Sequence, residues 1–159
     1  MKTYLFDLDG TLLDSFGLIL TSFHHTARIH LGKDFSDEYW MSGVGTPLRT
    51  QLSHVARSEE ELDAMLDTYR TFNLENHDTM ARAYPGVVDV VRKLHRDGAK
   101  LGLVTSKLST GANRGVRLLD LEDEFLCDGE HIIDAHGEVL VPDAFGSALN
   151  VGKTIMAFF

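Results

Sequence analysis

Cysteine is nearly missing from this chain: Cys127 is the only one among 159 residues, so no intrachain disulfide can staple the fold. A lone thiol reads as a small buried hydrophobe in a reducing, cytoplasmic setting rather than as a nucleophile. Positive charge is also scarce, with 15 Lys plus Arg against 24 Asp plus Glu and a formal charge of -9. That balance leaves no broad basic face, which excludes nucleic acid and an anionic membrane surface as expected partners. No apolar run approaches the length of about 20 residues that a membrane span needs. The N-terminus lacks the cationic stretch and apolar core of a secretory signal. Repeats and low-complexity linkers are missing too. What remains is 43% hydrophobic and 25% charged, the composition of one globular domain or of a small domain with an insert.

The informative stretch is the first fifteen residues, MKTYLFDLDGTLLDS. Lys2 to Phe6 is a short β-favouring run with the look of a buried strand, and it stops abruptly at Asp7-Leu8-Asp9-Gly10-Thr11. Side chains alternate along a strand, so Asp7 and Asp9 point the same way. Two carboxylates held that close repel, and a hard divalent cation is the natural group to offset them. Gly10 permits a tight turn, and Thr11 offers a hydroxyl and an N–H.

Beyond this turn the pattern becomes helical. Phe16, Ile19, Leu20, Phe23, Ala27 and Leu31 recur at helical spacing, with Ser15 as the capping residue and Gly32 as the stop. His24, His25 and His30 lie on or beside this helix, and adjacent histidines point apart, so they read as solvated or half-buried rather than as metal ligands. Phe35 to Ser42 is a short aromatic helical piece. Gly43-Val44-Gly45-Thr46-Pro47-Leu48 must be a tight loop with exposed backbone. Ser58-Glu59-Glu60-Glu61 forms a capping box for a helix that carries Leu62, Met65, Leu66, Tyr69 and Phe72 on one face. Tyr84-Pro85-Gly86 punctuates the return to a helix over Val87 to Asp97, stopped by Gly98. A second buried strand, Lys100 to Val104, ends in Thr105-Ser106-Lys107, and a helix from about Thr110 to Leu119 follows.

The stretch Asp7-Leu8-Asp9-Gly10-Thr11-Leu12 resembles motif I of the haloacid dehalogenase superfamily, D-x-D-G-T-[LV] at the end of the first strand. The strand that closes on Thr105 resembles motif II. From Met1 to about Phe125 the order of parts is similar to the branch containing phosphoglycolate phosphatases, pyrophosphatases and β-phosphoglucomutases. The resemblance implies an α/β fold: a Rossmann-like parallel sheet core, its completeness left open, from residues 1–15 and 84–159, with an α-helical cap, residues 16–83, inserted after the first strand. It implies a Mg²⁺-dependent phosphatase acting on a small phosphorylated metabolite or pyrophosphate. Asp7 would be the nucleophile and Asp9 the general acid and base, with Mg²⁺ held by Asp7 and Asp9. Leu8, Asp9, Thr105 and Ser106 would hold the phosphoryl oxygens. Gly43, Gly45 and Thr46 match the cap loop near the substrate.

The tail does not follow the family pattern. The lysine of motif III and the paired acids of motif IV are missing, and Val141-Pro142-Asp143 with Ser147 is a worn version of the latter. Lys107 and Lys153 are the only lysines left to serve the site. His131 to Val141 reads as a β-hairpin. Three readings stay open on the sequence: a truncated or frame-shifted phosphatase, a minimal one, or a member without catalysis that binds or regulates.

Overall fold

The computed structural model describes residues 2–125, together with the backbone of residues 132–133 and 139–140. The readings placed on Cys127, Val141 to Ser147 and Lys153 lie outside these residues. The first strand, β1 (Thr3–Phe6), runs parallel to β4 (Lys100–Val104), with Phe6 opposite Leu103. Next to β4 lies β5 (Ile132–Ile133), also parallel, and β6 (Val139–Leu140) pairs antiparallel with β5. The sheet order is β1-β4-β5-β6, and the last pair is the hairpin expected from the sequence.

Strand β1 is less buried than its composition suggested. Its residues alternate between exposed and half-buried, and Leu5 remains 39% exposed, whereas Leu101, Gly102 and Leu103 of β4 are buried. Position explains the difference, because β1 stands at the edge of the described strands and β4 has a neighbour on either side.

Two helices cover the sheet, α5 (Val87–Arg96) and α6 (Ser109–Leu118), followed by a single turn, α7 (Glu122–Phe125). The apolar cluster beneath them joins Leu8, Leu12, Leu13, Val91, Leu101, Leu103, Val116 and Phe125. Gly115 is what lets α6 come so close. A Cβ there would meet Leu8 Cδ2 at 2.8 Å, so a larger residue would press directly on the Asp7-Leu8-Asp9 turn.

Between β1 and β4 lie α1 (Phe16–Leu31), α2 (Asp37–Met41), α3 (Leu48–Ser53) and α4 (Glu59–Met80). They bury a second apolar cluster around Phe23, Trp40, Leu52, Met65 and Tyr69. The rings of Phe23 and Trp40 stack at 4.7 Å with planes 8° apart. Phe23→Ala is expected to destabilise this cluster by about 3–5 kcal/mol, the usual cost of emptying an aromatic site. Urea unfolding followed through Trp40, the only tryptophan, measures it directly. Before and after the helices, β2 (Leu13–Asp14) and β3 (Arg82–Ala83) form a two-residue antiparallel ladder, and Arg82 pairs with Asp14.

The helix ends depart from the sequence reading in two places. Ser15 sits at the start of α1 without capping it through its side chain, because its hydroxyl is used elsewhere. Ser58 does cap α4 by accepting the Glu61 N–H, yet the Glu61 carboxylate turns to the Arg57 amide at 2.7 Å rather than back to Ser58. Arg57 precedes the box and adds its guanidinium to that amide, with Nε 3.0 Å from both Glu61 oxygens, and this charged pair outcompetes the lone Ser58 amide.

The histidines are structural. His25 stacks on Phe72 and His30 bonds Thr68. His24 lies between Asp34 and Asp37, with Nδ1 at 2.7 Å and Nε2 at 2.8 Å from their oxygens. Carboxylates only accept, so both ring nitrogens donate when the ring is charged. The Asp34 hydrogen bond, aided by Asp37, raises the His24 pKa above its ordinary 6.5. A raised value means that this stabilisation is complete below pH 6.5 and is lost as pH climbs through the elevated value. The melting-temperature gap between the wild type and His24→Gln should therefore be wider at about pH 6 than at about pH 8.5.

Candidate active site

The turn after β1 is built around one carbonyl. Leu8 O accepts from the amides of Thr11, Leu12 and Leu13 at 3.2, 3.0 and 2.9 Å, and Gly10 N–H donates to Leu13 O at 2.8 Å. Leu8, Leu12 and Leu13 are wholly buried, which anchors the turn from below. Gly10 has φ 79°, and a Cβ there would lie 2.6 Å from the Phe16 ring. With Leu8 pinned inward, the alternation of side chains sends Asp7 and Asp9 to the other side, as the sequence requires.

Strand β4 brings the second half. Thr105 is buried immediately after it, and its hydroxyl accepts the Lys107 N–H at 3.2 Å. The Leu8 N–H donates to Asp7 Oδ1 at 2.6 Å. Asp7 keeps solvent contact as a residue, yet burial of its surroundings raises its carboxyl above the ordinary value of 3.8, and the Asp9 charge adds to this. The Leu8 amide, Thr105 and Lys107 pull the other way without reversing it.

Lys107 does reach the site, but at Asp9. Its ammonium lies 3.0 Å from Asp9 Oδ1 and 3.2 Å from Oδ2. The lysine stem crosses α6 at Gly111, where a Cβ would meet Lys107 Cε at 3.1 Å. Asp9 also accepts from Ser15 Oγ at 2.6 Å, which is why Ser15 is lost to helix capping. Neither Ser15 nor Gly111 was a site residue in the sequence reading. Ser15 read as an ordinary cap, and the only hint of Gly111 is its spacing of four residues from Lys107.

Asp7, Leu8, Asp9, Thr105 and Lys107 thus meet at the ends of β1 and β4, with Ser106 exposed beside them. In the loop of Gly43, Gly45 and Thr46, Gly43 packs on Gln51, whose amide donates to Trp40 O at 2.6 Å. No hydrogen bond or ion pair among the described residues joins that loop to Asp7. The donors gathered here, carboxylate and carbonyl oxygens on a turn with a surplus of negative charge, are those a hard divalent cation takes. Among the described residues no third acid, His or Cys joins them.

Residues 4–127 match the family described as haloacid dehalogenase-like hydrolase. A pyrophosphatase PpaX from Anoxybacillus flavithermus is 39% identical over 127 residues, covering 80% of this chain and 58% of that protein. The PpaX of Halalkalibacterium halodurans is 34% identical, covering 79% and 57%. The chain therefore spans under two-thirds of the length of these relatives. Among solved structures, a predicted phosphoglycolate phosphatase from Haemophilus somnus 129PT superposes with a TM-score of 0.76 at 19% identity, covering 87% of this chain and 64% of that one. A haloacid dehalogenase-like hydrolase from Streptococcus pneumoniae gives 0.71 at 23%, covering 84% and 61%. Both likenesses are of fold.

Proposed function

Because the chain belongs to the haloacid dehalogenase-like hydrolases, we propose that it is a Mg²⁺-dependent phosphohydrolase acting on a small phosphorylated metabolite or pyrophosphate. The observation that carries this is the meeting of Asp7 and Asp9 with Thr105 and Lys107 at the ends of two parallel strands. Asp7 Oδ attacks phosphorus, and the bond to the leaving oxygen breaks as Asp9 gives that oxygen its proton. Asp9 then takes a proton from water, whose oxygen attacks the aspartyl-phosphate, releasing phosphate and restoring Asp7. Thr105 and the amides of Leu8, Asp9 and Ser106 hold the phosphoryl oxygens, since this transfer rests on positioning and charge. Mg²⁺, held by the Asp7 carboxylate and the Asp9 backbone carbonyl, would supply positive charge to those oxygens.

Lys107 occupies the Asp9 side chain, which must carry a proton before it can serve the leaving oxygen. Substrate must therefore draw its ammonium onto the phosphoryl oxygens before turnover. That requirement favours slow catalysis, and it is also what supports the rival reading of a non-catalytic binding or regulatory member. In the proposed reading residues 16–83 form the cap over a core of 1–15 and 84–159, with Gly43, Gly45 and Thr46 at its substrate end, and the sparing use of cysteine fits the cytoplasm. Among the described residues no helix is long and apolar enough to cross a membrane.

Hydrolysis of p-nitrophenyl phosphate and of pyrophosphate, with Mg²⁺ and with chelator, tests the reading. Slow turnover that depends on Mg²⁺ is expected, and no turnover above the Asp7→Asn background would sink it.

A further inference from the structure

The buried face of α4 changes character along its length, from Leu62, Met65 and Leu66 to Tyr69, Asn73 and His77 at four-residue spacing. Asn73 is partnered, its amide donating to Ser22 Oγ at 3.2 Å. His77, on the last turn, is wholly buried. Its Nδ1 lies 2.8 Å from Asp78 Oδ1, and Asp78 is gripped by Arg114 of α6 through two contacts of 2.9 Å. A carboxylate accepts only, so Nδ1 carries the hydrogen. Burial, helped by the positive charges of Lys107 and Arg114, keeps the ring neutral against the pull of Asp78. Nε2 is then a bare acceptor, buried and without a partner among the described residues.

Such an acceptor costs free energy until a donor meets it. Lys107 is the donor at hand: its stem passes over Gly111, one helical turn before the Arg114 that holds Asp78 beside His77, and its ammonium has three hydrogens of which the Asp9 carboxylate takes at most two. We propose that His77 is a positioning residue for Lys107, taking its remaining hydrogen at Nε2 directly or through one water. Docking of the end of α4 on α6 through Asp78 and Arg114 therefore sets where the lysine stands. The same helix α6 carries Gly111, over which the lysine stem passes, so one contact seats both partners. This deepens the proposed function and rests on its placement of Lys107 in the site.

The full chain labelled with ¹⁵N-histidine gives the first test. Long-range ¹H–¹⁵N spectra should show His77 as the Nδ1–H tautomer, the form that free histidine disfavours. Acetylation of Lys107, followed by mass spectrometry, gives the second. His77→Leu should speed it by about three- to ten-fold, the factor one hydrogen bond commands. His77→Gln, which retains an acceptor, should stay near the wild type. Asp78→Asn lies at the surface and guards against a His77→Leu chain that does not fold; it should also release the tautomer and speed acetylation. Any turnover should fall in kcat with KM little changed. An Nε2–H or doubly protonated His77 in the wild type would overturn the proposal, as would Lys107 acetylation unchanged in Asp78→Asn. A protected Lys107 and an Nδ1–H ring in a chain without turnover would uphold it while the phosphohydrolase reading fell.

Discussion

Asp7→Asn is expected to lower aryl-phosphate turnover by on the order of a thousand-fold or more, because it removes the oxygen proposed to attack while preserving size and much of the hydrogen bonding. The same variant should not weaken the fold. A carboxyl whose pKa is raised from 3.8 binds its proton more tightly folded than unfolded, so its stabilisation is complete below that value and is lost as pH rises through the elevated one. At neutral pH the ionised Asp7 works against folding, mildly, since the residue keeps solvent contact. In chelator, Asp7→Asn should melt slightly above the wild type at about pH 7, and the gap should close towards about pH 3. A mutant with wild-type turnover would remove Asp7 from the nucleophile role, and a lower melting temperature would contradict the electrostatics.

Lys107→Ala should cost on the order of a hundred- to a thousand-fold in turnover, the usual loss when one preorganised positive donor is taken from a developing phosphoryl charge. Its ammonium is the only one joined to the paired aspartates among the described residues. The loss should fall in kcat more than in KM, because the lysine must leave Asp9 to meet the reacting group. Steady-state kinetics on the two variants in matched Mg²⁺ decide it. A change of less than about three-fold, under 1 kcal/mol, would mean that Lys107 serves the apo turn and not the reaction.

The parts of this molecule that were legible in the sequence are those written in local patterns. The strand-to-turn change at Asp7, the 3.6-residue repeats of α1 and α4, and the glycine stops at Gly32 and Gly98 depend on neighbours in the chain. The site residues that were missed depend on neighbours in space. Ser15 has the sequence signature of a helix cap and is diverted by an aspartate six residues back. Lys107 was legible as a lysine left to serve the site, but its meeting with Asp9 was not, because its stem is directed by the bare backbone of Gly111. His77 sits at an ordinary buried helix position, and only the Arg114 contact from another element fixes its ring.

The small β2–β3 ladder gave no periodic signal, since two residues make no pattern. Yet Leu13 stands opposite Ala83, and Arg82 pairs with Asp14 across a separation of 68 residues. Seen from the sheet, everything between those residues is a detour that starts and finishes at one place. Closing such a detour costs little more when it grows, about 0.6 kcal/mol for each doubling of its length. The middle of that detour, around α2 and α3, can therefore change length with little thermodynamic consequence for the strands that carry the aspartates. Its two ends have no such freedom, since Ser15 holds Asp9, Phe16 packs on Gly10, and Leu18 and Ala81 belong to the core beneath the sheet.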